Sequence, residues 1–426
     1  MDNTKAEIVD ITGAFLKRDI EDGEEIHMEL PEGCKHMYPQ HTIVKLKKAI
    51  YGLKQAAKCF WVLLLKIMMS MGNRRSSADP CMYYSWTALG LVIWLSHIDD
   101  CLVVGKKEAA KQARINLMKK IDCEHVAEVH EQGKLDFIGM LVNKEGSTAH
   151  LTMPVMTARI KEEYGNSGKK TTTPAVPGSH LHKDDNVRDL NEKEHNEFRS
   201  GQGVINYLQK VRPDCANAIR ETASHMSAPN EVHQKELQRI MDYINSTPER
   251  CLQLAPTGIW NGERETELQL RGVSDSDFGK NEDNRKSVTG YVVYLNDAPV
   301  AFKSSTQQTV SLSSAEAELN ALVSCAQELL YVMNLLESME LTVNKPMVIK
   351  CDNKGTVAVA HNWVVSGRMR HVAIKKNFMR ELEEKNIIHV EWIEGVKNEA
   401  DAFTKNVNGV KLKEFMTNLM LMGVEE

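Results

Sequence analysis

From about residue 266 the chain takes on a periodicity that few folds accommodate. ELQLRGVSD, TGYVVYL and APVAFKSS read as three consecutive apolar strands, the last two joined tightly across Asn296–Asp297. A long helix follows. Ser313 and Glu316 have the spacing of a capping box, and Leu319, Leu322, Val323, Ala326, Leu330 and Met333 recur at helical intervals. MVIKCD reads as a strand, NKGTVAVAHN as a short helix, KKNFMRELEEKN as a helix, IIHVEWI as a strand and NEADAFTKNV as a helix. Three strands, a helix, a strand, two helices, a strand and a helix predict one α/β domain around a mixed five-stranded sheet.

Four acids fall at the ends of these elements: Asp275 after the first strand, Glu318 in the first turns of the long helix, Asp352 at the end of MVIKCD and Asp401 at the start of the last helix. Each alone has an ordinary explanation. Asp275 fits a turn, Glu318 a favourable place in the helix dipole, and Asp352 and Asp401 fit N-caps. Together they suit phosphodiester hydrolysis, which needs an activated water and a neutralised leaving oxygen. Two Mg²⁺ ions about 4 Å apart supply both. Hard cations take converging carboxylates, and four such groups repel one another without them.

The N-terminal part repeats the theme. EIVDI reads as a strand carrying Asp10, and Cys59–Met71 as an apolar helix. LVIWLSHIDDCLVVG is a hairpin of two apolar strands around Asp99 and Asp100. An Asp-Asp pair is commonly just a turn. Between strands this apolar, a charged pair calls for a partner, and a metal ion is one. Residues 150–265 are richer in helix, and TTTPAVPGSHLHKDDNVRD reads as a linker.

Net charge is −5, yet residues 33–78 hold no acid and nine Lys or Arg, among them Lys54 and Lys58. Residues 353–380 are also free of acids and include Arg370, His371 and Lys375. Basic stretches beside carboxylate clusters suit phosphate-facing surfaces, although a solvated face explains either one alone. No apolar run of about 18 residues occurs, so no membrane span is expected. The opening MDNTKAEIVDITG lacks the basic and apolar regions of a secretory signal. Nine scattered cysteines without a CxxC pair argue against a disulfide framework or zinc site and for a reducing compartment.

The blocks VSDSDFGKNEDNRKSVTGYVVYL, VSLSSAEAELNAL, IKCDNKGTV, RMRHVAIKKNFMRE and EADAFTKNV resemble the RNase H domain of copia-type LTR retrotransposons. VDITGAFLKRDIEDGEEIHMELPEG, KLKKAIYGLKQAAKCF, HIDDCLVVG and FIGMLV resemble the reverse transcriptase of the same family, and SGQGVINYL, RPD, HMSAPNEVH and YINSTPER continue the pattern. The resemblance runs from about residue 7 to 408. It implies an α/β and α+β chain: a reverse-transcriptase palm over 1–148, a helical thumb or connection over 149–265, an RNase H domain over 266–410 and a tail over 411–426.

By motif, the resemblance gives Asp10, Asp99 and Asp100 as one metal-binding triad. Asp275, Glu318, Asp352 and Asp401 form the other set, with Asp277 and Glu316 as weaker candidates. Each set would hold two Mg²⁺ or Mn²⁺ ions. Phe15 matches the aromatic that excludes a 2′-hydroxyl, and Gln55 the residue beside the incoming nucleotide. Lys54, Lys58, Arg370, His371 and Lys375 would contact nucleic acid. The implied partners are RNA–DNA hybrid, primer–template and deoxynucleotides, in the cytoplasm, virus-like particles or nucleus.

The sequence departs from the family in places. His97 stands where Tyr is usual, Ala57 where Pro is usual, and EGVKN has no His where many relatives carry one. The family's fingers precede the first triad Asp, so weak primer extension and an exposed, aggregation-prone EIVDI edge are expected. The competing reading is a folded remnant that binds nucleic acid without catalysis.

Overall fold

The computed structural model describes residues 4–422 except 18–19, 21–23, 39, 41, 129–133, 166, 185, 259 and 362–372. It divides into two units, Met1–Phe137 and Ile138–Glu426.

In the first unit the elements that build the sheet and its cover are β1 (Thr4–Asp10), α1 (Ala56–Ser70), β2 (Arg74–Arg75), β3 (Met82–Thr87), β4 (Gly90–His97), β5 (Asp100–Lys106), α2 (Lys107–Met118) and β6 (Glu124–Glu128). The strands pair in the order β2-β3-β4-β5-β1-β6, every pair antiparallel. Alternation sets the two faces. Val9, Val92, Trp94, Cys101 and Val103 are buried with Phe60, Leu64 and Met68 of α1 and with Ala109, Ala110 and Leu117 of α2. The EIVDI segment is therefore not an edge. β1 lies between β5 and β6, so both rows of its backbone groups face a partner strand, contrary to the sequence expectation.

In the second unit β7 (Met140–Glu145) and β8 (Thr148–Thr152) form a hairpin that spans residue 148. Helices α3 (Pro154–Tyr164), α4 (Glu192–Leu208), α5 (Ala216–Ser224) and α6 (Glu231–Ser246) follow, then β9 (Cys251–Leu254), which pairs with β8. Asn191 and Asn230 cap α4 and α6, and in each case the third helical residue returns a bond to the cap's backbone. Between α4 and α5, Arg212 and Asp214 form a fully buried fork, Nε to Oδ1 at 2.9 Å and Nη2 to Oδ2 at 2.8 Å. Burial opposes ionisation of Asp214, but Arg212 beside it and the Tyr243 hydroxyl hold its carboxyl below the usual range.

The stretch expected to be a linker is packed. Thr173 and Ala175 are buried, Gly178 N donates to Asn406 O at 2.8 Å, and the Asn406 amide donates to Ser179 O.

The mixed sheet comprises β10 (Leu270–Asp277), β11 (Val288–Leu295), β12 (Ala298–Thr306), β13 (Met347–Cys351) and β14 (Ile388–Trp392). Its order is β12-β11-β10-β13-β14, antiparallel across the first three strands and parallel across the last three. The β11–β12 hairpin turns on Asn296 and Asp297, both with positive φ, at the expected dipeptide. Helix α7 (Ser314–Ser338) packs on β10 and β11. A Cβ at Gly272 of β10 would meet Cys325 Sγ at 2.5 Å, so the glycine is what lets α7 approach. α7 has the length and apolarity of a membrane span, but its apolar side chains are largely buried against this sheet.

Helices α8 (Lys354–His361) and α9 (Ala373–Glu384) precede β14, and a short 3-10 helix, Glu399–Phe403, replaces the first part of the expected last helix. The residues expected to be a tail are structured as α10 (Gly409–Met416) and β15 (Met420–Leu421), which pairs with β9. Leu412, Phe415, Met416, Leu419 and Met420 join one core with Phe198, Ile205, Ile240, Tyr243, Val292 and Phe403.

Candidate active sites

In the mixed sheet, the parallel pairing of β10 with β13 brings their carboxyl ends level. Asp275 lies near the end of β10 and Asp352 just after β13. Asp401 comes in on the 3-10 helix, which lies directly on β11. A Cβ at Gly290, the residue paired with Asp275, would meet Thr404 Cγ2 at 2.6 Å, Phe403 Cβ at 2.9 Å and Ala400 O at 3.0 Å. Glu318 sits one turn into α7. The ligand oxygens of Asp275, Asp352 and Asp401 lie within 4.8 Å of one another, and those of Glu318 and Asp352 within the same distance together with Cys351 Sγ. All four predicted acids therefore converge.

The acids are held by neighbours the sequence reading had not singled out. Thr404 Oγ1 donates to Asp275, and Lys405 Nζ lies 2.7 Å from Asp401 Oδ1 and 3.4 Å from Asp275 Oδ2. The four-residue spacing of Asp401 and Lys405 was the signal for that pair. Asn398 donates to Ser274 O and takes Ala400 N on its own oxygen, which fixes the start of the 3-10 helix. The Trp392 indole N–H donates to Asp352 O at 3.0 Å.

The weaker candidates separate from the cluster. Glu316 Oε2 accepts from Leu312 N at 2.7 Å while Ser313 Oγ accepts from Glu316 N, so Glu316 serves the helix start. Its return bond goes to Leu312, one residue before the cap, rather than to Ser313 as in a capping box. Asp277 Oδ2 faces His180 Nε2 at 4.0 Å, and His180 Nδ1 is 3.2 Å from Glu221.

Electrostatics reflect the crowding. Burial first, then Asp401 and Glu318 against the opposing Lys405, push the Asp275 carboxyl well above the aspartate range. Burial and then Asp352 push Glu318 up to about 7. Burial, opposed by Lys405 and reinforced by Asp401, raises Asp352. One ammonium does not offset four carboxylates held from water, so Asp275, Glu318 and Asp352 resist ionisation until a cation joins them. An all-oxygen set of acid donors fits hard divalent cations in that place.

In the first unit, register does the assembling. Asp10 of β1 pairs directly with Asp100 of β5, and Ile11 N donates to Asp99 O at 3.0 Å. Ile98, with φ 58°, makes the hairpin turn that places Asp99 beside them. Burial, then Asp99, Asp100 and Glu124, raise the Asp10 carboxyl; burial and then Asp99 raise that of Asp100. Glu124, opposite Asp10 on β6, is an acid the sequence reading missed.

Phe15 is buried with its ring centroid 4.6 Å from Tyr51 and 6.4 Å from Phe60. Gln55, at the start of α1, donates to Glu24 at 3.0 Å. Lys54 and Lys58 are exposed. Lys375 on α9 donates to Asn320 of α7 at 2.7 Å, two residues beyond Glu318 in sequence. Arg370 and His371 lie outside the described residues.

Residues 1–177 match the family model for reverse transcriptase (RNA-dependent DNA polymerase). Across 96% of its length the chain is 27% identical to the retrovirus-related Pol polyprotein from transposon RE1 of Arabidopsis thaliana, and across 95% it is 27% identical to that from transposon TNT 1-94 of Nicotiana tabacum. The chain is thus similar to copia-type retrotransposon Pol polyproteins along nearly its whole length. It spans 27% and 30% of the length of those two relatives. A foamy viral protease-reverse transcriptase in complex with RNA/DNA hybrid aligns over 92% of this chain and 44% of its own, at 11% identity and a TM-score of 0.47.

Proposed function

We propose that this chain is a divalent-metal-dependent ribonuclease H that cuts the RNA strand of RNA–DNA hybrids. The observation that carries the reading is the convergence of Asp275, Glu318, Asp352 and Asp401 at one end of the mixed sheet. These four side chains would hold Mg²⁺ or Mn²⁺, two per site. When bound, the ions supply Lewis acidity and a water of lowered pKa. The protein supplies the arrangement: Thr404 and Lys405 orient Asp275, Lys405 orients Asp401, and Gly290 keeps the 3-10 helix close. Lys375, whose ammonium donates to Asn320 of α7, would contact a phosphate of the hybrid.

The test uses the full chain with Mg²⁺ or Mn²⁺ on a labelled hybrid. Hybrid RNA should be cut, single-stranded RNA spared, and Asp352→Asn should abolish cutting with an unchanged circular dichroism spectrum. Undiminished cutting by that variant would remove Asp352 from the site, and equal cleavage of single-stranded RNA would sink the ribonuclease H reading. Hybrid binding without any cutting would favour a non-catalytic remnant.

A second reading concerns the first unit and rests on the cross-strand pairing of Asp10 with Asp100 beside Asp99. We infer that this triad serves RNA-directed DNA synthesis from deoxynucleotides on a primer–template, with Phe15 and Gln55 at the nucleotide. Polymerisation depends on positioning and charge stabilisation, and a triphosphate needs cationic partners as well as acids. Primer extension on poly(rA) with Mg²⁺ or Mn²⁺ checks this reading: synthesis by the parent that Asp99→Asn abolishes would support the triad, and synthesis that survives Asp99→Asn would remove Asp99 from it.

A further inference from the structure

Outside the carboxylate cluster, three side chains from three successive elements of the same domain meet: His361 ends α8, Glu383 lies near the end of α9, and His389 is the second residue of the edge strand β14. Their ligand atoms all fall within 4.8 Å of one another. Glu383 turns one oxygen to each ring, Oε1 3.5 Å from His361 Nδ1 and Oε2 3.2 Å from His389 Nδ1. The imidazole centroids are 5.2 Å apart.

Proton counting makes this more than a polar contact. His361 Nε2 lies 2.8 Å from the Val390 carbonyl oxygen. A carbonyl only accepts, so Nε2 carries the hydrogen, and in the neutral ring Nδ1 presents a lone pair. That lone pair faces Glu383 Oε1, which is also an acceptor. The two repel unless a cation lies between them, either a second ring proton or a metal ion. A backbone carbonyl on the far nitrogen is also the support that orients metal-bound imidazoles. Val390 N donates to Glu383 Oε1 at 2.7 Å, so one residue of β14 anchors two of the three groups. The Glu383 side chain is 14% exposed while the imidazoles are 35% and 45% exposed, so the pre-fixed carboxylate sits behind two rings that solvent ions can reach.

We propose that His361, Glu383 and His389 bind one transition-metal ion of the zinc class, separately from the carboxylate cluster. Two imidazole nitrogens and a carboxylate oxygen, with water in the fourth place, are a Zn²⁺ donor set, whereas Mg²⁺ favours oxygen ligands. Bonds of about 2.0–2.2 Å in a tetrahedron put ligand atoms roughly 3.3–3.5 Å apart. The two carboxylate–imidazole separations, one from each Glu383 oxygen, are near that range, and one ligand atom from each residue lies within 4.8 Å of the others, so small side-chain shifts would close the set on one ion. The cysteine spacing led to the expectation of no zinc site, but that spacing bears on thiolate ligands and not on imidazoles. The bound ion would clamp α8 and α9 to β14.

The test titrates the full chain with Zn²⁺ by calorimetry in excess Mg²⁺, which fills the carboxylate cluster, and follows Co²⁺ by visible absorption. One equivalent of Zn²⁺ should bind and raise the melting temperature, and Co²⁺ should bind with a tetrahedral absorption band that Zn²⁺ abolishes. The double variant His361→Gln, His389→Gln should lose that band and bind Zn²⁺ about tenfold or more weakly. Asp352→Asn should keep both. Glu383→Gln, checked by circular dichroism, serves if the double variant does not fold. Identical Zn²⁺ isotherms for parent and folded variant, or no Zn²⁺ uptake in excess Mg²⁺, would overturn the proposal.

Discussion

Glu318 shows how a single side chain couples this domain's stability to pH. Its carboxyl is raised from 4.5 to about 7 by burial and then by Asp352. A raised carboxyl favours the protonated folded state, so its contribution is complete below the ordinary value near 4.5 and is lost as pH rises through about 7. In EDTA, the melting temperature of the chain should therefore fall between those two values. Glu318→Gln should flatten the fall, and Mg²⁺ should raise the melting temperature more at pH 8 than at pH 5 by offsetting the ionised cluster. A metal-free melting temperature that rises across that window in the parent would contradict the assignment. Asp275 and Asp352, raised by the same burial, act in the same direction.

At the scale of elements, the acids meet only because helix and strand backbones approach closely. Gly290 leaves the room that the Asp401-bearing 3-10 helix occupies. Gly290→Ala should cost about 1–3 kcal/mol through overpacking and should weaken Mn²⁺ binding, since Asp401 must move. Urea denaturation and Mn²⁺ titration check the two effects, and an unchanged variant would mean that β11 and the 3-10 helix can part without consequence. The fork between Arg212 and Asp214 ties the α4–α5 turn to Tyr243 and Thr247 of the neighbouring helix end. Arg212→Met leaves Asp214 buried and unpaired, at about 3–5 kcal/mol by urea denaturation. A loss below about 1 kcal/mol would show that water reaches the carboxylate.

For the molecule as a whole, the 138–426 unit is not a chain of separable modules. The expected linker and the expected tail both enter its core, the first through Thr173 and Ala175, the second through α10 and β15. Ending the chain at residue 408 should lower the melting temperature and impair hybrid cutting even though every predicted catalytic acid remains. The buried Phe415, Met416 and Leu419 would leave a cavity in the core beside the 3-10 helix and the Pro213–Cys215 turn. An unaltered melting curve would return these residues to the status of a tail.

The order of strands and helices in the mixed sheet, the Asn296–Asp297 turn and the Asp99–Asp100 hairpin were legible in the sequence. Each depends on local periodicity or turn chemistry, which short windows carry. The acids were legible as a set through the resemblance, and each lies near an element end; Asp275, expected just after its strand, lies within β10, which runs on to Asp277. Tertiary structure alone decided the rest. β1 gained β6 as a second neighbour through a pairing distant in sequence, and so ceased to be an edge. Lys405 and Thr404 reached Asp275 from 129 or more residues away along the chain. The polar, proline-rich stretch at 171–189 took up fixed contacts through Asn406, Asp283 and Glu221, all remote from it in sequence. Local patterning encodes which face of an element is apolar. Which remote side chain will satisfy a buried acid depends on how the elements pack, and no sequence window of helix or strand length contains both partners.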